Sequence, residues 1–176
     1  LMYAVQNRNT TLLEYLLDRG ANPSLRNNDG ENAIIVAARV NNGDAVESLL
    51  ARNIRGINEV STKNPRKNAF MWACDHDNIE MVRALLPKID LTVDFPAEAR
   101  DLDGPLPALL WAINYRKSDS VINEIIYNYP GNLRDVKDRN GRDAMYYAKK
   151  ENKGVAALTN RVKSYDNAVN TQGGSW

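Results

Sequence analysis

The sequence has one cysteine and one histidine in 176 residues. A single thiol excludes an intramolecular disulfide and any multi-thiolate metal site, and a single imidazole leaves little for acid–base or metal chemistry. Neither sign of charge dominates. The 23 Lys and Arg against 22 Asp and Glu give a formal charge of +1, which removes the basic footprint by which a duplex-binding protein collects phosphates. Long apolar runs are missing too. The longest, from Leu106 to Ile113, is interrupted by Pro107 and falls far short of the roughly 20 residues that span a bilayer. Leu1 is not followed by the charged flank, apolar stretch and small-residue cleavage site of a secretory signal, and Leu rather than Met at position 1 suggests a piece of a longer protein. What remains is a globular composition, 43% hydrophobic and 26% charged, near the averages of about 45–50% and 25%. The length suits one domain of about 100–200 residues.

Order along the chain says more than composition. Five segments place bulky apolar residues before a small anchor: Leu1-Met2-Tyr3-Ala4, Ile34-Ile35-Val36-Ala37, Phe70-Met71-Trp72-Ala73, Leu109-Leu110-Trp111-Ala112 and Met145-Tyr146-Tyr147-Ala148. Their alanines are spaced by 33, 36, 39 and 36 residues. After each of the first four comes a second apolar cluster at nearly constant offset: Leu12, Leu13, Leu16 and Leu17; Val46, Leu49 and Leu50; Val82, Leu85 and Leu86; Val121, Ile122, Ile125 and Ile126. Spacing of three and four residues marks one buried helical face. Each period therefore predicts a pair of short helices, and the whole an all-α stack.

The connections agree. Gly20 follows the second helix of the first period, where a glycine can take the left-handed conformation that ends a helix. Asn27-Asn28-Asp29-Gly30 and Asp138-Arg139-Asn140-Gly141 have tight-turn composition, and they predict protruding hairpin tips. Asn32, Asn68 and Asp143 stand where their side-chain oxygens can cap the next helix. The expected last helix, Val155 to Lys163, carries Asn160 and Arg161 where earlier periods have paired aliphatics, as a capping repeat would.

These residues resemble the ankyrin repeat, a unit of roughly 33 residues made of a β-turn and two antiparallel helices. Agreement is best from Ala4 to Gly30, through Leu12-Leu13-Glu14-Tyr15-Leu16-Leu17-Asp18-Arg19-Gly20-Ala21-Asn22-Pro23. The family's Thr-Pro-Leu-His element is replaced by Asn32-Ala33-Ile34-Ile35, Asn68-Ala69-Phe70-Met71, Pro107-Ala108-Leu109-Leu110 and Asp143-Ala144-Met145-Tyr146. The resemblance implies an ankyrin-repeat α-solenoid with β-hairpin-like loops over residues 1–163. Its repeats fall at about 1–26, 27–62, 63–99, 100–136 and 137–163, and a flexible tail is expected over 164–176. The longest insertion, between Asp90 and Pro107, carries Phe95 and several acids.

Chemistry is sparse. Cys74 and His76 are two apart on a predicted helix, a spacing that points them in different directions. The acids keep no calcium-loop register, and the glycines lack the context of a phosphate-binding loop. No cofactor or metal is expected, and no catalytic residue. Tyr3, Val36, Trp72, Trp111 and Tyr147 share the position before the anchor; they can be read as a stacking platform, but core packing between helices is the expected role.

In the ankyrin family partners bind the hairpin tips and the exposed side of the first helices, which together form a concave groove. Carried over by position, the resemblance implies Arg26, Asn28, Glu31, Arg39, Val40, Lys67, Asp75, His76, Arg100, Leu102, Tyr115, Arg139, Arg142, Lys149 and Lys150 as partner-binding residues. Tyr115 is the foremost anchor, since Tyr and Arg are enriched among interface hot spots. Residues 74–104 hold eight acidic against three basic side chains, and residues 134–163 nine basic against four acidic, an asymmetry able to orient a charged partner. The expected function is a non-catalytic protein–protein interaction domain, monomeric and part of a larger protein, without nucleic-acid binding or membrane insertion. Two alternatives stand beside it. One is an inhibitor or regulator of an enzyme, with the Phe95 insertion as its inserted element; the other is the targeting domain of a multidomain effector enzyme. A cytoplasmic location is expected, or the host cytoplasm for a secreted effector.

Overall fold

Each apolar segment ending in an anchor alanine lies in a first helix, with Leu1 just before it, and each cluster downstream of the first four lies in a second, with Leu86 in the 3₁₀ turn that follows. The computed structural model describes residues 1–52, 54–63, 66–90, 94–95, 106–115, 117–129, 133–152 and 154–172. They divide into two compact units, Leu1–Asp90 and Leu91–Trp176. In the first unit α1 (Met2–Gln6) pairs with α2 (Thr10–Asp18), α3 (Ala33–Arg39) with α4 (Gly43–Ala51), and α5 (Ala69–Asp75) with α6 (Ile79–Leu85). There α3 lies between α1 and α5, and α4 between α2 and α6. In the second unit α7 (Ala108–Asn114) pairs with α8 (Asp119–Asn128) and α9 (Ala144–Glu151) with α10 (Val155–Gln172); α7 packs on α9 and α8 on α10. A two-residue antiparallel pair, β1 (Asp94–Phe95) with β2 (Leu106–Pro107), precedes α7. Phe95 of the expected insertion thus pairs with Leu106, and residues 96–105 lie outside the described part.

Most of these helices have 5–10 residues, too short to persist alone in water. Packing holds them. The anchors Ala4, Ala37, Ala73, Ala112 and Ala148 are all at most 1% exposed, because a methyl side chain lets neighbouring helices approach closely. Ile34, Ile35 and Val36 of α3 are all fully buried, as expected of a helix with neighbours all round. Leu12, expected in the core, is 38% exposed, since α2 has a second-helix neighbour, α4, on one side only.

Caps set where the helices begin. The Oδ1 atoms of Asn32, Asn68 and Asp143 accept from Ile35 N (3.2 Å), Met71 N (2.8 Å) and Tyr146 N (2.9 Å), as the sequence predicts. Four of the five second helices are capped the same way, by Asn9, Asn42, Asn78 and Ser118. Arg8, Asn41, Asp77 and Asn152, each just after a first helix, take φ of 52–54°. Gly20 ends α2 at φ +81°. α10 runs on past residue 163 to Gln172, through the first part of the expected tail. Residues 164–172 contain no Gly or Pro to stop a helix, and the first break is Gly173-Gly174.

Candidate functional site

Two hairpin tips are built by one side chain each. Asn27 Oδ1 accepts from Asp29 N and Glu31 N (both 2.9 Å), while Asn27 N donates to Glu31 O (2.9 Å). Asp138 Oδ1 accepts from Asn140 N (2.9 Å) and Arg142 N (2.8 Å), and Asp138 N donates to Arg142 O (3.0 Å). Gly30 and Gly141 close the turns at φ +72° and +76°, a conformation costly for a side chain with a Cβ. Between them Ser61 does the same work: its N donates to Lys67 O and its Oγ accepts from Lys67 N, both at 3.1 Å.

The tips are tied to the first helices by charge. The residue before the cap meets the residue eight positions on. Glu31 takes Arg39 with both oxygens (2.7 and 3.1 Å), the two-pronged arrangement that a guanidinium favours. Lys67 and Asp75 form the same pair with the charges exchanged. In the last pair of helices both positions are basic, Arg142 and Lys150, and Asp138 takes over the role of partner. Its Oδ2 receives Arg142 Nε at 2.6 Å and the Tyr147 hydroxyl at 2.8 Å. Burial opposes ionisation of Asp138, but the Arg142 amide, the Tyr147 hydroxyl, the Arg142 guanidinium and the Asn140 amide outweigh it and hold its carboxyl below the usual range.

The structure sorts the sequence-predicted partner residues. Arg26, Asn28, His76, Arg139, Lys149 and Lys150 are exposed; Arg39, Val40, Lys67, Asp75, Tyr115 and Arg142 are half-buried. Glu31 is not a surface residue: it is 4% exposed and spends its carboxylate on Arg39 and Asn27, so Arg39 is what a partner would meet there. Arg26 pairs with Glu59 (2.6 Å). His76 stacks on Trp72, with ring centroids 6.2 Å apart, and its Nε2 lies 2.9 Å from the Arg39 carbonyl oxygen. Tyr115 follows α7 with its ring 5.4 Å from Trp111, and Lys150 Nζ is 3.4 Å from Asn114 Oδ1. In the first unit the structure brings Arg39, Val40, Asp75 and His76 to the ends of adjacent first helices; in the second it brings Tyr115 and Lys150 to the ends of α7 and α9. Arg100 and Leu102 lie outside the described residues.

Most of the series before the anchors is packing, and Tyr3 is the exception. Val36, Trp111 and Tyr147 are fully buried, and cations cover the ring faces: Lys67 over Trp72 at 5.0 Å, Lys117 over Trp111 at 4.8 Å and Arg142 over Tyr147 at 5.5 Å. Tyr3, at the same position of α1, is 75% exposed. Sequence reading missed the side chains that join one pair of helices to the next. Asn42 Nδ2 donates to Val5 O (3.0 Å), Asn78 Nδ2 to Asn41 Oδ1 (2.7 Å) and Arg8 Nη2 to Val40 O (2.7 Å). The signal for the two asparagines was present, an Asn three residues before an apolar helical run. Among the described residues no group of three or more His, Cys, Asp or Glu could hold a metal ion, and no helix is long and apolar enough to cross a membrane. Cys74 is buried.

Paired helices, seven of them capped by an Asn, Asp or Ser side chain, recur with the sequence period, and comparison with known proteins agrees. A family model for ankyrin repeats, in three copies, matches residues 1–95. This chain belongs to the ankyrin repeat family. A putative ankyrin repeat protein, L371, of Acanthamoeba polyphaga mimivirus is 30% identical over 101 residues, which cover 54% of this chain and 13% of that protein. The chain therefore spans a small part of the curated relative it matches. Among solved structures, a chain from the complex of the predatory endopeptidase Bd0816 of Bdellovibrio bacteriovorus with immunity protein Bd3460 superposes with a TM-score of 0.63 at 23% identity, covering 90% of this chain and 78% of that one. At that identity the likeness is one of fold. Ankyrin repeats are protein-interaction modules and are typically non-catalytic, so this chain is a protein-binding domain.

Proposed function

We propose that residues 1–163 form one ankyrin-repeat array within a longer, cytoplasmic protein, and that the array is a monomeric, non-catalytic domain binding one partner protein on its hairpin tips and first helices. One observation carries the reading. Side chains at these positions are held by neighbours yet keep an edge in solvent: His76 by Trp72 and Arg39, Tyr115 by Trp111, Lys150 by Asn114. A surface fixed before binding loses little conformational entropy on contact. Arg100 and Leu102 belong to this proposal by their place in the repeat. The test is affinity capture with the purified chain, read by mass spectrometry, against Tyr115→Ala combined with Lys150→Glu. Lys150 is chosen over Arg142 because Arg142 closes the last tip on Asp138. A hot-spot loss of about 2 kcal/mol, roughly thirtyfold in Kd, removes the partner from the capture. A captured set unchanged in a folded double variant would refute this surface.

A second reading, an inhibitor or regulator of an enzyme, takes support from the fold likeness to a chain of an endopeptidase–immunity complex. It predicts that the captured partner is an enzyme and that adding the chain abolishes its activity; a partner left fully active when saturated argues for scaffolding alone.

A further inference from the structure

The outward side of α9 differs from that of α3 and α5. Ile35 and Met71, which hold the position of Tyr146, are at most 1% exposed, whereas Tyr146 is 45% exposed. Ile34 and Phe70 are fully buried, and their counterpart Met145 is only half-buried. Beside Met145 lies a cavity of about 230 Å³, lined also by Leu133, Arg134, Asp143, Ala144, Leu158 and Val162. It is smaller than the roughly 300–1,000 Å³ of small-molecule sites and of the size that one inserted apolar side chain fills. Among the described residues, five of those lining it are aliphatic or methionine and none carries a ring on which a nucleobase could stack.

Its surroundings are basic. Arg134 lines the cavity, Lys149 stands exposed one helical turn beyond Met145, and the Arg142 guanidinium lies 5.2 Å from the Tyr146 ring. Asp143, the acid in the lining, accepts from Tyr146 N at the start of α9, where its charge meets the positive end of the helix. In α3 and α5 the tip-to-helix pair closes on itself as opposite charges; here Arg142 and Lys150 are both basic, Arg142 held by the buried Asp138 and Lys150 3.7 Å from Glu151. Over residues 134–163 the sequence holds nine basic against four acidic side chains.

We infer that this end of the second unit seats a linear acidic segment of the partner protein, with one apolar side chain in the cavity beside Met145 and carboxylates along Arg134 and Lys149. The inference rests on the interaction reading above and adds the chemistry of what is bound. The apolar floor sets the anchor, and the basic rim sets the sign of the flanking charge and the encounter rate.

The test is fluorescence anisotropy of the full chain with a labelled 14-residue peptide of glutamates around a single phenylalanine. Expected is saturable binding that weakens as salt rises, falls at least tenfold for Arg134→Glu with Lys149→Glu, and falls at least fivefold when the peptide's phenylalanine is replaced by serine. Arg19→Glu in the first unit leaves it unchanged. Lys149→Gln alone, at an exposed position, repeats the charge test where the double variant loses its circular-dichroism signature. No saturable binding, equal binding to the charge variants, or indifference to the phenylalanine would overturn the inference. So would a labelled 12-nucleotide single-stranded RNA that binds more tightly and displaces the peptide. A partner lost from capture by Tyr115→Ala with Lys150→Glu, alongside a peptide that never binds, keeps the interaction reading and removes the acidic segment.

Discussion

Replacing Asn42 by alanine removes two jobs with one side chain. Asn42 is 3% exposed; its Oδ1 caps α4 by accepting from Ala45 N at 3.2 Å, and its Nδ2 donates to Val5 O at 3.0 Å, thirty-seven residues back. Loss of the cap costs about 1 kcal/mol. Val5 O keeps a bond from Arg8 N at 3.2 Å, so the second loss is one buried hydrogen bond of two, again about 1 kcal/mol. Asn42→Ala is therefore expected to destabilise the first unit by about 2 kcal/mol. Asn9→Ala, which removes an exposed cap bonded to Leu12 N alone, should cost about 1 kcal/mol. Asn42→Asp retains the cap acceptor but sets a buried carboxylate oxygen against Val5 O in place of the donor, so it should cost at least as much as Asn42→Ala. Urea titration followed by circular dichroism measures all three, and with a slope of about 2 kcal/mol/M the Asn42→Ala midpoint moves by about 1 M. An Asn42→Ala loss no larger than that of Asn9→Ala would refute the claim that this side chain joins neighbouring repeats.

Three further outcomes follow from the same coordinates. Gly20 and Gly30 share a positive φ, but a Cβ at Gly20 meets nothing within 4 Å, whereas one at Gly30 meets Thr62 side-chain atoms at 2.5 Å and its amide nitrogen at 2.8 Å. Alanine at Gly20 should cost about 1 kcal/mol from backbone strain, and alanine at Gly30 at least about 1 kcal/mol more, read as the difference in urea midpoint; equal losses would contradict the close approach. Asp138 has its folded-state pKa lowered from 3.8, so its contribution is complete above that value and is lost as pH falls through the lower folded value. Acid titration of stability should show this loss in the wild type and a flatter profile below about pH 4 in Asp138→Asn, and identical profiles would exclude it. Trp111→Ala, at a fully buried indole, should destabilise the second unit by about 3–5 kcal/mol; a loss under about 1 kcal/mol by thermal melting would mean that the ring packs against little.

The comparison of Asn9 with Asn42 also marks how far reading the sequence goes. Both stand three residues before an apolar helical position, and the sequence does not separate an exposed cap from a buried one. Position in the repeat likewise placed Glu31 among the partner-facing residues, when its carboxylate is enclosed by Arg39 and Asn27. Trp111 and Tyr3 occupy one repeat position, yet one is fully buried and the other 75% exposed.

The period, the helix pairs, the caps at Asn32, Asn68 and Asp143 and the turns at Gly30 and Gly141 were decided by the sequence itself. Each depends on bonds that close within about five residues, or on an apolar spacing that only one helical face satisfies. Tertiary structure alone decided which asparagine reaches a carbonyl in the neighbouring repeat, which charge is enclosed, and that the cavity beside Met145 is rimmed by Arg134. Those outcomes depend on what stands across from a side chain, and in a stack of repeats that neighbour comes from 30 to 40 residues away.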